Sequence, residues 1–131
     1  MFKNLGCDTC HTQTYRTVPP GTKINGGKFT VPDALGNKIF HPYSDLLVQD
    51  IGTSDGIPVQ ATPEFAWTAN MMRTAPLWGM RTRSRLMHDG LTFTEREAIE
   101  RHAGQAAPVT AAYKALGDSD KELLRAFLDS L

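Results

Sequence analysis

Cys7 and Cys10 are the only cysteines in the chain, and His11 follows them directly in the run Cys7-Asp8-Thr9-Cys10-His11. On a helix, an i, i+3 spacing puts both thiols on one face. Each can then add its S–H across one vinyl group of a haem, while the adjacent imidazole meets the iron as proximal ligand. Two thiols this close could instead form a disulfide or half of a zinc site. A zinc site needs a second pair of ligands at similar spacing, and no second CxxC or HxxxH follows. The motif therefore predicts one haem c, held through two thioethers at Cys7 and Cys10, with His11 on the iron.

What such an iron does depends on its other face. A second strong ligand favours electron transfer, and an open position admits peroxide or oxygen. The side chains able to fill it are Met71, Met72, Met80, Met87, His41, His88 and His102. A lone methionine on a helix also serves as core filler, and a lone histidine as a surface or hydrogen-bonded residue. Composition alone does not choose among them. His102 has one local argument in its favour: it ends a capped helix and precedes Ala103-Gly104, where a backbone without bulk can approach the haem plane.

Other residues fit around a haem. Trp78 and Trp67 are large enough to wall it or to fill the core, and Leu77, Leu86, Phe93 and Ile99 suit a pocket lining. A proximal histidine needs a carbonyl acceptor for its Nδ1–H, and Pro20, in the loop after the motif, is the expected buttress. His88 suits a hydrogen bond to a loop or a propionate. Arg81, Arg83 and Arg85 add positive charge for a propionate or an acidic partner, or form a solvated face. No Ser-His-Asp set, paired carboxylates or phosphate loop stands out, and Glu95, Glu97 and Glu100 read as a helix start and its wet side.

The elements that must position these groups are short. Residues 1–11 are expected to form the haem-bearing helix, with Phe2 and Leu5 on its apolar side. Gln13 to Pro42 is full of turn signals, among them Pro19-Pro20-Gly21, Asn25-Gly26-Gly27 and Gly36-Asn37. Within it Lys28-Phe29-Thr30-Val31 and Lys38-Ile39-Phe40 could pair as a small hairpin. Tyr43 to Asp50 reads as one or two helical turns capped by Ser44, followed by a polar loop from Gly52 to Ala66. Pro76 to Met87 is an expected helix, with Thr74 near its cap. Thr94-Glu95-Arg96-Glu97 is a capping box opening a helix that reaches His102 and stops at Gly104. Ala107–Leu116 and Ser119–Ser130 close the chain, the last with Leu123, Leu124, Phe127 and Leu128 as its buried stripe. The fold class expected is mostly α: one cytochrome c-like domain over 1–131, of short helices and long loops with one small hairpin.

A chain of 131 residues suits one domain that gains from a covalent staple. Fourteen basic and fourteen acidic residues balance, so nothing global points to nucleic acid or a membrane surface. No apolar run approaches the roughly 20 residues that span a bilayer. Met1–Gly6 runs into the motif without the apolar stretch of a secretion signal.

Several blocks in order carry a resemblance. They are Thr74-Ala75-Pro76-Leu77-Trp78-Gly79, Met87-His88-Asp89-Gly90, Glu97-Ala98-Ile99 and His102-Ala103-Gly104-Gln105-Ala106. Together they resemble the C-terminal haem domain of the bacterial di-haem cytochrome c peroxidase superfamily. The likeness is greatest to its di-haem oxidoreductase branch, sometimes called CxxCH thiol oxidoreductases. Pro42-Tyr43-Ser44-Asp45-Leu46-Leu47 and Phe127-Leu128-Asp129-Ser130-Leu131 fit too. Gln49-Asp50-Ile51-Gly52 departs from the branch's usual His-Asp-Met-Gly, and the family's larger N-terminal portion, with its own haem, has no counterpart in these residues.

The resemblance implies a distal ligand. In the peroxidases a methionine follows the His of the His-x-Gly block by fourteen positions; in this branch a histidine does, and the count from His88 reaches His102. His102 is therefore the implied sixth ligand of a bis-histidine haem, with Met87 and Met80 as fallbacks. Arg73 is implied as the partner of a haem propionate, which a planar guanidinium binds bidentately. The family also implies a periplasmic or otherwise extracytoplasmic protein, from which a leader or longer N-terminal region has been removed. Three functions then compete: electron transfer to a redox partner protein or second haem domain, peroxidase or oxidoreductase chemistry, and a haem-stapled binding module whose iron is idle.

Overall fold

The computed structural model describes residues 1–53, 56, 58–60 and 62–131. Helices, α and 3-10 together, make up 37 % of the structure and strands 13 %. That mixture corrects the mostly-α expectation. The reason is local: of two stretches read as helices, 43–50 ends in a strand and 76–87 keeps only a 3-10 turn, and the helices that remain are short.

The first helix, α1 (Phe2–Leu5), ends at Gly6, whose φ of 91° is the left-handed cap that glycine adopts without penalty. The chain then tightens into a 3-10 turn over Cys7–Thr9. Residues 1–11 are thus two short turns about a glycine hinge, not one helix. The motif stays wound, because His11 N donates to Cys7 O at 3.0 Å.

Between the motif and residue 42 lie four two-residue strands: β1 (Tyr15–Arg16), β2 (Lys23–Ile24), β3 (Phe29–Thr30) and β4 (Ile39–Phe40). The expected pairing of 28–31 with 38–40 does not form. Asn25, Gly26 and Gly27, all at positive φ, close β2 on β3 instead. This leaves β4 to pair with β1, where Tyr15 and Phe40 stack at 5.9 Å.

Tyr43 to Asp50 is not helical either. Tyr43 and Leu46 sit at φ 50° and 59°, which breaks any helix. Val48–Asp50 becomes strand β5 and pairs antiparallel with β6 (Met71–Arg73), in the register Val48↔Arg73, Gln49↔Met72, Asp50↔Met71. Of the loop expected over Gly52 to Ala66, Ser54, Asp55, Ile57 and Ala61 lie outside the described residues. The loop's end instead begins a 3-10 helix, Pro63–Asn70. The helix expected over Pro76 to Met87 shrinks to a 3-10 turn at Met80–Thr82. Gly79 (φ 72°) precedes that turn, and Arg83 ties it back with bonds to Pro76 O and Trp78 O at 2.9 and 3.0 Å.

The C-terminal third follows the sequence closely. Helix α2 (Glu95–Glu100) starts at Thr94, whose Oγ1 accepts from Glu97 N at 3.2 Å, and ends two residues before His102. Helices α3 (Ala107–Lys114) and α4 (Asp118–Asp129) complete it. On α4, Leu124 and Leu128 are buried, whereas Leu123 is 64 % exposed and leaves the expected stripe. Phe127 turns toward the N-terminal segment, 5.2 Å from Phe2 and 5.7 Å from Tyr43 between ring centres.

Candidate functional site

The haem motif is clasped from one side by residues 43–45. Tyr43 O accepts from His11 Nδ1 at 2.8 Å. Ser44 N donates to Thr12 O at 3.0 Å, and Asp45 N donates to Cys10 O at 2.7 Å. Three consecutive residues therefore grip three consecutive residues of the motif region. Ser44, fully buried at 0 % exposure, locks the strap from behind. Its hydroxyl donates to Thr74 O at 2.7 Å and accepts from Leu46 N at 2.9 Å.

This replaces Pro20 as the buttress of His11. Pro20 is exposed and packs against Gly36 instead. Phe2 adds a ring edge 6.2 Å from the imidazole. Burial holds the His11 imidazole below its ordinary pKa; the Tyr43 carbonyl opposes this, and the charge of nearby His102 reinforces it. Burial likewise raises the Cys7 and Cys10 thiols, with the Asp45 carboxylate adding to the effect at Cys10. Both cysteines are unpaired, and at neutral pH they carry the S–H that thioether formation consumes.

His102 follows α2, and its charge is felt at His11. Its Nδ1 bonds Ala98 O at 2.7 Å, one turn back. Its carbonyl accepts from the buried Thr110 Oγ1 at 2.7 Å. The residues after it dock on the end of β5: Ala103 N donates to Ile51 O at 2.9 Å, and Gln105 Oε1 accepts from Asp50 N at 2.7 Å. Gly104, at φ 51°, lies so close that an added Cβ would sit 2.5 Å from Asp50 O. Its missing side chain therefore makes room for Asp50.

The two imidazoles share one feature. A carbonyl oxygen can only accept, so each Nδ1 carries a proton, and in the neutral ring each Nε2 presents a lone pair. A backbone carbonyl behind Nδ1 is how proteins orient a metal-binding histidine. Cys7 and Cys10 would hold a haem through their thiols, and His11 and His102 would offer imidazole donors to its iron.

The remaining expected residues are more scattered. Met80 and Leu86 are buried in the core, and Met71 and Met72 are half-buried on β6. Met87 is half-buried at φ 62°. His41 is exposed and bonds Thr14 Oγ1 at 2.9 Å; His88 is exposed in its turn. Arg73 and Arg81 are exposed, and Arg85 lies over the exposed Phe93 ring at 4.9 Å. Leu77 is half-buried, its N donating to Pro42 O at 2.9 Å beside the strap, and Trp78 and Trp67 are largely exposed. Ile99 is half-buried on α2. Residue-by-residue reading missed Tyr43, Thr110 and Asp50. Tyr43 and Asp50 carried a signal only as parts of the blocks beginning at Pro42 and Gln49.

The profile of the family described as "Di-haem oxidoreductase, putative peroxidase" matches residues 1–131. The chain belongs to the di-haem oxidoreductase family. No curated protein and no solved structure gives a significant match. Membership makes haem the cofactor class and oxidoreduction the chemistry of this family member, and the donors around His11 and His102 fit that cofactor. A bound haem supplies an iron that exchanges one electron or, with an open position, accepts a small oxygen ligand. Among the described residues no helix is long and apolar enough to cross a membrane.

Proposed function

We propose that this chain is an electron-transfer domain with one haem c, attached through Cys7 and Cys10 and closed on its two faces by His11 and His102. The observation that supports this reading is that the imidazoles of His11 and His102 are each tied through Nδ1 to a backbone carbonyl. Histidines oriented in this way leave no lone pair wasted and no position open. A closed iron needs no acid–base group beside it, which agrees with the absence of a catalytic set in the sequence.

The rest of the reading follows the family. Arg73 pairs with a haem propionate, and Leu77 and Trp78 lie along the haem edge near the strap. The domain corresponds to the C-terminal haem domain of the family, works outside the bacterial cytoplasm, and exchanges electrons with a redox partner protein or a second haem domain. The family description favours a second reading, in which the domain serves a peroxidase.

The visible spectrum of the haem-loaded chain tests both. Low-spin iron in the oxidised and reduced states is expected, and high-spin iron in both would sink the closed-iron reading. His102→Ala should convert low-spin to high-spin iron; an unchanged spectrum would remove His102 as ligand. A far-red sulfur-to-iron band would transfer the role to Met87 or Met80. Appreciable peroxide turnover by the isolated chain would establish the second reading instead.

A further inference from the structure

Arg101, the residue before His102, is held by a separate segment of the chain. Its Nη1 donates to Asp89 Oδ1 at 3.1 Å and its Nη2 to Asp89 Oδ2 at 2.6 Å, a two-pronged guanidinium–carboxylate pair. Nη1 also donates to Thr92 Oγ1 at 2.5 Å. Little of this group faces water: the Arg101 and Asp89 side chains are 31 % and 15 % exposed, and Thr92 is 1 % exposed. Paired forks of this kind are the strongest protein ion pairs, and partial burial spares them most salt screening.

The segment that supplies the anchor is itself braced. Leu91 N donates to Asp89 Oδ1 at 3.0 Å, and Leu86 N donates to Thr92 O at 2.8 Å. Met87, at φ 62°, holds a backbone conformation that a Cβ resists. Against this brace, α2 ends and His102 begins. The bonds from Thr110 to His102 O and from Ala103 to Ile51 hold the C-terminal side of the histidine. The clamp at Arg101 holds its N-terminal side. The bond from His102 Nδ1 to Ala98 O ties the ring to the last turn of α2, so movement of the turn carries the ring with it, and the clamp resists that movement.

We propose that the Asp89–Arg101–Thr92 clamp sets how firmly His102 stays on the iron, and so sets the balance between a closed, electron-carrying haem and one open to a small ligand. The inference rests on the reading of His102 as distal ligand. Arg101 and Asp89 act through His102 and are positioning residues. The clamp joins the two functional readings of the family in one device: intact, it favours electron transfer; loosened, it favours access to the iron.

Cyanide, which enters ferric haem only where the sixth position has opened, is the probe. With the haem-loaded chain, Asp89→Asn and Arg101→Gln should speed cyanide binding by about tenfold, the scale of a lost charge-assisted bond, and raise the high-spin fraction. Arg101→Lys, which keeps the charge but loses the fork, should fall between them and the parent. Wild-type cyanide rates and spin state in Asp89→Asn, even with a lowered melting temperature, would make the clamp merely structural and overturn the proposal. Should both variants fail to fold, Thr92→Val removes a single bond at nearly constant shape. A smaller acceleration is expected there, and an unchanged rate overturns the proposal. His102→Ala separates the layers: an unaltered spectrum fells the ligand reading and this inference together. A high-spin His102→Ala beside an unaffected Asp89→Asn fells only the clamp.

Discussion

Gly104 shows how much one absent side chain can carry. Its backbone at φ 51° is open to glycine at little cost, and an added Cβ would meet Asp50 O at 2.5 Å. Gly104→Ala should cost about 1–3 kcal/mol in urea unfolding and move His102 with the displaced backbone; an unchanged midpoint would deny the close approach. Ser44→Ala should cost a similar amount, about 1–3 kcal/mol, because Leu46 N and the buried Thr74 lose a partner that is itself fully buried. Asp45 adds a pH dependence. Burial would raise its carboxyl, but bonds from Leu47 N, Thr74 and Gln49 outweigh that and hold it below the ordinary carboxylate range. A group with a depressed folded pKa contributes stability in full above its unfolded value, about 3.9, and loses it as pH falls through the folded one. The strap should therefore weaken in that acid window, and Asp45→Asn should flatten that part of the stability–pH curve; parallel curves would refute the assignment. At this scale the sequence was legible wherever residue type itself is the chemistry, as in Cys7, Cys10 and His11. The carbonyl that orients His11 was not, because every residue offers a carbonyl and only the φ of 50° at Tyr43 aims this one.

Elements were legible where their signals are local. At Thr94 the expected N-cap bond formed, with Glu97 reaching back to Phe93 N rather than to Thr94 N, and α3 and α4 follow their helical periodicity because their apolar positions lie within a few residues of one another. Thr94→Ala should lower stability by about 1 kcal/mol, read as a shift in the denaturant midpoint, and no shift would mean that packing alone holds α2. The stretches 43–50 and 76–87 were read as helix because short apolar runs fit a turn of helix or a strand equally well. Their fate was decided by partners far away in sequence: Val48–Asp50 pairs with Met71–Arg73, and Leu77 N bonds Pro42 O. Ser44 makes the point sharply. Its hydroxyl does satisfy a nearby backbone N–H, as a cap would, but it does so in an extended strap whose shape comes from residues 10–12 and 74.

For the molecule as a whole, the fold class failed because it was a sum of such local readings. The buried hydrophobic side chains among the described residues are few: Val31, Met80, Leu86, Tyr113, Leu124 and Leu128. Meanwhile Leu47, Trp67, Leu91 and Phe93 are each 60–69 % exposed. On the proposed reading, a haem between His11 and His102 would bring an apolar macrocycle into such a structure, and each 100 Å² of apolar surface it covered would contribute about 2.5 kcal/mol. The haem would then be a core component rather than a passenger. Replacing both thiols, Cys7→Ser with Cys10→Ser, leaves only the imidazole bonds to hold it. The doubly substituted chain should melt at least about 10 °C lower than the parent, and its melting temperature should rise with added free haem, as mass action requires of a ligand that binds only the folded state. The parent, with its haem attached, should show no such concentration dependence. Circular dichroism melts across a haem titration read both effects. Equal melting temperatures, insensitive to haem, would mean that the polypeptide packs on its own and that the exposed apolar side chains await a different cover.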